Sequence, residues 1–400
     1  MSRYVFRQEH FGTMCYDNVT RDLFLNKNIS DFPSKEIRVI NNSILGKNTL
    51  TFPAIVFLKV NQKCNLRCMH CLSGSSDEKD KTELDQLNLS QLKSIIDEIY
   101  DCGGFVVKVT GGEPFLRSDI FDILSYIDSK PLSTILFSNG ILIDDDAIEK
   151  LKRFKYMKIR ISLDGVKETN DSIRGKGTFD AAYSALRKLY LNGINCEVSY
   201  TVHSKNYLEL KSLINILEKD NINCNIYLNL LKVAGNALSN SDLMIQEDKT
   251  KIVFDAVKNQ IENKLNVAYY NPFADAYLKI FGKIYGCPAG KMSLSIDSNG
   301  DVLACGLFYD DSNALCGNVK EKTLNELWQS KAMRYIRELP EKESCTLCDI
   351  YKKNCTGGCR GNALNKFNDL YGKDINHRIY NLNFSSFANK EHTLFAYDCL

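Results

Sequence analysis

The sequence has no apolar run approaching the length of a membrane span, and its first ten residues, MSRYVFRQEH, lack the apolar core of a signal peptide. Net charge is nearly absent: 51 Lys and Arg stand against 49 Asp and Glu, so nothing in the composition asks for nucleic acid or an anionic membrane as partner. Internal repeats and low-complexity tracts are missing too, which excludes solenoid architectures. What remains is a globular profile, 44% hydrophobic and 25% charged over 400 residues, long enough for one large or two ordinary domains. A cytoplasmic location is expected.

Cysteine, by contrast, is plentiful. Fifteen are present, and cytosolic cysteines rarely pair as disulfides, so clustered ones point to metal or catalysis. Three fall within eight residues as Cys64-x3-Cys68-x2-Cys71. Eight more follow residue 286: Cys287, Cys305, Cys316, Cys345, Cys348, Cys355, Cys359 and Cys399. The isolated Cys15, Cys102, Cys196 and Cys224 read as small core residues.

Residues 1–53 form an N-terminal segment in which two alternating runs flank Asp17-Asn18, a hairpin pattern, before a polar link around Asn41-Asn42. From 54 to 235, strand-like and helix-like segments alternate six times. The strands are expected near 55–60, 105–109, 134–137, 158–163, 196–202 and 225–231. The helices are expected near 90–99 (with Ser90 as N-cap), 119–127, 144–154, 179–191 and 207–218. Six βα units predict a parallel sheet, closed or open, with functional residues at the strands' C-terminal ends. The chemistry-bearing residues fall there: the cysteine triad, Thr110-Gly111-Gly112-Glu113-Pro114, Ser138-Asn139-Gly140 and Asp164-Gly165. Residues 236–286 read as a helical connector (246–265 and 274–284), and 287–400 as a small domain whose thin core needs metal.

Three thiolates are one short of a closed iron–sulfur or structural zinc site, so one metal position stays open for substrate. A zinc site completed by His70 or a remote ligand is the plainer alternative, although His70 lies directly beside Cys71. The triad at the end of a first strand resembles the signature of radical S-adenosylmethionine enzymes. In that family three thiolates hold a 4Fe–4S cluster whose fourth iron chelates the amine and carboxylate of S-adenosylmethionine. His70 takes the place of the family's usual aromatic. Gly111-Gly112-Glu113-Pro114 resembles the family's turn of the same composition: its glycines permit close backbone approach, and its carboxylate meets the cofactor's amine. Ser138 and Asn139 resemble its polar third-strand end. The run from Ile161 through Ser162 and Asp164 to Gly165 resembles the motif that faces the ribose, with Asp164 either a cofactor contact or a turn residue. Arg174 matches an arginine that contacts the cofactor carboxylate; a surface arginine capping a turn is the bland alternative. The resemblance implies an α/β fold, a partial (β/α)6 TIM-like barrel with a C-terminal cysteine-rich iron–sulfur domain.

The later cysteines resemble the seven-cysteine SPASM extension with its two auxiliary 4Fe–4S clusters. That resemblance assigns Cys345, Cys348, Cys355 and Cys399 to the distal cluster and Cys287, Cys305 and Cys359 to the nearer one. The nearer cluster's fourth position falls either to Cys316 or to an open iron. Zinc-ribbon-like scaffolding is the structural alternative.

The activity implied is reductive cleavage of S-adenosylmethionine to a 5′-deoxyadenosyl radical that abstracts hydrogen from substrate, fed by an external electron donor such as flavodoxin or ferredoxin. Most SPASM-bearing relatives modify ribosomally made peptides or proteins, and a smaller set acts on haem precursors. Cys305 is followed by Gly306 rather than the aspartate of the sulfatase-maturating members, which argues against that activity. A peptide maturase is therefore expected, with residues 1–53 either receiving a leader peptide or covering the barrel. A tetrapyrrole-modifying enzyme is the second reading, and a non-catalytic electron carrier or scaffold the third. The residues single out no general base.

Overall fold

A computed structural model describes residues 2–45, 49–75, 85–130, 132–245, 249, 252, 287–309, 311–339 and 358–372. The expected helices of the connector and the cysteines 345, 348, 355 and 399 lie outside the described residues.

Residues 2–45 build a four-stranded sheet from β1 (Tyr4–Glu9), β2 (Gly12–Asp17), β3 (Leu23–Leu25) and β4 (Ile37–Ile40), in the order β3-β2-β1-β4. The turn at Asp17-Asn18 forms as expected and joins β2 to β3; its geometry is fixed by Asp17 Oδ1, which accepts from the Val19 and Thr20 amides. A second turn, at His10-Phe11, joins β1 to β2, and β4 adds parallel to β1.

Six parallel strands follow: β5 (Ile55–Lys59), β6 (Val106–Thr110), β7 (Ser133–Ser138), β8 (Met157–Ser162), β9 (Cys196–Val202) and β10 (Asn225–Leu230), side by side in chain order. Their intervening helices are α1 (Leu89–Asp101), α2 (Ile120–Ser129), α3 (Asp145–Leu151), α4 (Lys167–Arg174), α5 (Thr178–Leu191) and α6 (Leu210–Lys219). The helix–sheet core is aliphatic: α1 buries Leu92, Ile95, Ile96 and Ile99 in a cluster shared with Val56, Leu58, Val107 and Val109. Each such side chain contributes about 1.5–3 kcal/mol as an upper bound. α1 starts two residues earlier than Ser90 as N-cap suggests, because Asn88 and Gln91 form a reciprocal capping box. α4 was not expected at all. It buries only Asn170 and Ile173, so no apolar period announces it.

The sheet does not end with the six strands. β11 (Ser293–Ile296) pairs parallel with β5 and continues antiparallel through β12 (Asp301–Leu303) and β13 (Leu315–Asn318), giving nine strands in the order β10-β9-β8-β7-β6-β5-β11-β12-β13. Among the described residues, three short helices follow, α7 (Leu324–Trp328), α8 (Lys331–Arg337) and α9 (Arg360–Phe367).

The β1–β4 sheet packs on the end of the barrel away from the cysteine loop. Val5, Met14, Tyr16 and Ile40 share a core with Ile55, Phe105 and Val106 at the strands' beginnings, and Tyr16 stacks on Phe105. Arg7, fully buried, pairs with Glu9 at 2.6 Å and donates to Gly103 O, while Arg21 donates to Tyr156 O at the start of β8. The Arg7 bond gives the buried Gly103 carbonyl a partner, and Arg21 adds a second donor to Tyr156 O, which also accepts from the Thr134 amide.

Candidate active site

Every βα loop at the C-terminal end of the sheet contributes to one group of residues. The loop after β5 carries Cys64, Cys68 and Cys71, all free thiols, with Cys64 and Cys68 buried. It lies directly against the turn after β6. The Gly112 amide donates to Asn61 O and the Glu113 amide to Lys63 O, and Asn61 Nδ2 donates to Glu113 O at 2.8 Å. The two glycines make that approach possible. A Cβ on Gly112 would lie 2.1 Å from Lys63 O, and one on Gly111 2.1 Å from Asn61 Oδ1.

Glu113 is not a solvated loop carboxylate; it is 1% exposed. Pro114 opens a 3-10 turn, and Glu113 caps it by accepting from the Phe115 amide. Ser138 Oγ and the Asn139 amide donate to the two carboxylate oxygens at 2.9 and 2.8 Å. Burial nevertheless pushes the Glu113 carboxyl up to about 7. Three donors hold the group in place, and burial leaves it avid for a cation. Asn139 also reaches the cysteine loop, its Nδ2 donating to Asn65 Oδ1 at 2.8 Å.

The loop after β8 places a second buried carboxylate. Ser162 ends β8, and two residues later Asp164 is fully buried. Its Oδ2 lies 2.6 Å from Arg174 Nε and 3.0 Å from His70 Nε2, and its Oδ1 accepts from the Thr201 amide at 2.7 Å. Burial works to raise its pKa, but Arg174 and then His70 hold it well below the usual carboxylate range. The arginine is not on the surface: its side chain is 11% exposed, and its Nη1 lies 4.0 Å from Cys68 Sγ. Burial raises the Cys68 thiol and pushes Cys64 up to about 12; Arg174 opposes the shift at Cys68. Such thiols give up their protons to a metal rather than to water.

Arg174 owes its position to α4, and α4 is pinned at both ends. Glu209 accepts from the Val166 amide and Thr169 Oγ1 at the helix start. Asn170 Oδ1 accepts from the Asp164 amide, and Asp171 accepts from Gly177 and Phe179 beyond the helix end. Asn206, wholly buried after β9, donates to Asp164 O and Thr201 O. Beside it, His203 Nδ1 accepts from the Lys205 amide, and burial pushes this histidine down to about 4.

One more segment touches the cysteine loop. After β10, Asn236 donates from its amide to Cys71 O and from Nδ2 to Cys68 O, and Asn240 Nδ2 donates to Met69 O. Sequence reasoning missed Asn61, Asn65, Asn170, His203, Asn206, Glu209, Asn236 and Asn240. Most of the asparagines lie just past strand ends, where turns also favour them, and His203 and Glu209 carry no such signal.

Farther along, Cys359 stands at the N-terminus of α9, where its Sγ accepts from the Asn362 amide at 3.4 Å. Burial, then the neighbouring Cys359, pushes the Cys287 thiol up to about 11, so the fold brings these two together. Cys305 sits half-buried at the start of the 3-10 turn Gly306–Phe308. Cys316 lies in β13 with its Sγ 3.5 Å from Ala314 O.

No three His, Cys, Asp or Glu side chains among the described residues close round one point as ligands of a single ion would. The fit of the triad to an iron–sulfur cluster rests on donor chemistry: three unpaired thiols in one loop and a buried guanidinium against one of them. No helix among the described residues is long and apolar enough to cross a membrane.

Comparison with known proteins agrees. Residues 58–217 match the family model of the radical SAM superfamily, and residues 287–355 match SPASM, an iron–sulfur cluster-binding domain. The chain is 30% identical over 318 residues to the mycofactocin maturase MftC of Mycobacterium tuberculosis, covering 78% of this chain and 79% of that protein. It is 26% identical over 334 residues to the AdoMet-dependent heme synthase of Methanosarcina barkeri, covering 78% of this chain and 92% of that one. In fold it is similar to Streptococcus suis SuiB bound to its precursor peptide SuiA, with a TM-score of 0.73 at 20% identity over 93% of this chain and 97% of that one. With its cysteine triad at the first strand end and its glycine-glycine-glutamate turn at the second, this chain belongs to the radical SAM superfamily and carries a SPASM iron–sulfur domain.

Proposed function

We propose that the chain is a radical maturase of a ribosomally made peptide. The observation that carries this reading is the convergence of Cys68, Arg174 and Asp164 on one side of the cysteine loop and Glu113 on the other. Cys64, Cys68 and Cys71 would hold the first cluster, and Glu113 would receive the cofactor's ammonium. Arg174, steered by Asp164, would receive the cofactor's carboxylate, with Ser162 and Asn139 at the same strand ends. Bound there, the cluster and S-adenosylmethionine would supply the radical chemistry that abstracts hydrogen from substrate. The protein's own part is to orient substrate and keep water and oxygen from the site.

Two auxiliary clusters complete the proposal, one on Cys287, Cys305 and Cys359 and one on Cys345, Cys348, Cys355 and Cys399, with an external electron donor. The similarity to MftC supports a peptide as substrate, and a leader segment would add as a strand to an edge of the β1–β4 sheet. The similarity to a heme synthase over 92% of its length supports tetrapyrrole modification as the second reading.

Anaerobic reconstitution with reductant and S-adenosylmethionine, followed by mass spectrometry of a small peptide encoded beside this chain and co-expressed with it, tests the proposal. Formation of 5′-deoxyadenosine together with a mass change in the peptide is expected. Tight tetrapyrrole binding with an unmodified peptide would transfer the activity to the second reading. A protein with all its clusters that yields no 5′-deoxyadenosine with either substrate would be no enzyme of this kind.

A further inference from the structure

The segment after β10 touches both cysteine stations. At one end, the Val233 amide donates to Asn362 Oδ1 at 3.0 Å, and the amide of that same Asn362 donates to Cys359 Sγ at 3.4 Å. At the other end, three residues on, Asn236 donates to the carbonyls of Cys71 and Cys68 at 2.9 Å each. Asn240 then bonds both Met69 O and Asn236 O. Between the ends lies Gly235, with φ +55°, where a Cβ would stand 2.4 Å from Cys71 O and 2.5 Å from Leu72 O. The backbone of residues 233–236 is thus pressed against the first cysteine loop and bonded to the helix that Cys359 caps. Asn362 is wholly buried, so its carbonyl oxygen meets Val233 without competition from water.

We propose that Asn362 is a positioning residue that fixes the first cysteine loop from the auxiliary station, through a strap running from Val233 to Asn240. The inference rests on the reading that the first loop holds the S-adenosylmethionine-binding cluster. Hydrogen bonds just outside a metal's ligands orient those ligands, and losing one typically costs about tenfold or more in affinity or activity. Asn362 bonds a thiol at one station directly and the ligand loop of the other through four backbone residues. A change at Asn362 therefore reaches the first station without removing any of its ligands.

The test compares three anaerobically reconstituted full-length proteins. Iron and sulfide content, S-adenosylmethionine affinity by equilibrium dialysis, and the change in the reduced protein's EPR signal on adding S-adenosylmethionine are measured for each. Asn362→Leu removes the acceptor. It is expected to keep full iron and sulfide, to bind S-adenosylmethionine about tenfold more weakly, and to lose most of the EPR change. Asn362→Asp keeps an oxygen opposite Val233 and is expected to retain clearly more of the affinity and EPR change than Asn362→Leu. Unchanged affinity and EPR response in Asn362→Leu would overturn the proposal, and so would equal impairment in Leu and Asp. If Asn362→Leu does not fold, Asn236→Ala removes the strap's side-chain bond to Cys68 O at its other end. Weaker binding there at full iron content supports the proposal, and unchanged binding overturns it. Wild-type protein that holds its clusters but binds no S-adenosylmethionine would fail the functional reading itself, and is told apart because no variant is needed to see it.

Discussion

Arg174 and Asp164 form a buried ion pair, Nε to Oδ2 at 2.6 Å, and the arginine's remaining nitrogens are aimed by it at Cys68 and His70. A buried pair broken from one side leaves an uncompensated charge, which costs about 3–5 kcal/mol. Asp164→Asn should therefore lower the denaturant midpoint and weaken S-adenosylmethionine binding at least about tenfold. Arg174→Lys should not rescue binding, because an ammonium cannot serve a carboxylate and a thiol in one plane as a guanidinium does. Urea unfolding and equilibrium dialysis of the two variants check this. Wild-type affinity in Asp164→Asn would mean that the pair serves stability alone.

Glu113 gives a pH signature. Its folded carboxyl titrates at about 7 because it is buried, against 4.5 for the ordinary group. A raised carboxyl pKa favours the fold below pH 4.5, and that contribution is lost as pH rises through 7. An incoming ammonium needs the ionised form, so the sign for binding is opposite. S-adenosylmethionine affinity should rise with pH up to about 7, by about tenfold per unit below it, and then level off. Glu113→Gln should bind weakly at every pH. A flat wild-type profile between pH 5.5 and 8 would show that Glu113 does not pair with the cofactor.

The strand ends were legible because β-branched runs bounded by glycine, cysteine and asparagine announce both the strands and their loops; Glu113 followed from its place at one of them. Other features carried no local signal. α4 buries one apolar residue, Ile173, and is held by Glu209, Asn170 and Asp171, so its polar sequence looks like loop. Arg174 could be matched by family pattern, but its pairing with Asp164 could not. The bond between Val233 and Asn362 spans 129 positions, and the parallel pairing of β11 with β5 spans more than 200. Contacts of that range leave no mark on sequence periodicity.

Inside the barrel, Glu197 on β9 is buried between Lys158 and Arg160 of β8, with Lys158 Nζ at 2.9 Å and Arg160 Nε in contact with the other carboxylate oxygen. Burial works to raise its pKa, and Arg160 then Lys158 bring it down to about 2. The stability it contributes is present above pH 4.5 and lost as pH falls toward 2. Glu197→Gln should cost about 3–5 kcal/mol at pH 7 and make urea unfolding less sensitive to pH between 4.5 and 2. Wild-type stability in that variant would mean that the cations find other partners.

Gly112→Ala isolates the contact between the two loops that build the site. The added methyl would lie 2.1 Å from Lys63 O and 2.6 Å from Gln62 O, both backbone atoms that cannot swing aside as a side chain end would. Relief requires the turn after β6 and the cysteine loop to separate, which breaks the Gly112 amide's bond to Asn61 O and the Glu113 amide's bond to Lys63 O. Cys64 is next in the chain after Lys63, so the displaced element includes one of the thiols proposed to hold the first cluster. Reconstituted Gly112→Ala should therefore hold less iron than wild type and produce little or no 5′-deoxyadenosine. Cys102→Ala, at the far end of α1, should match wild type in both measurements. Full iron content and product from Gly112→Ala would show that the cysteine loop keeps its shape without the turn beside it.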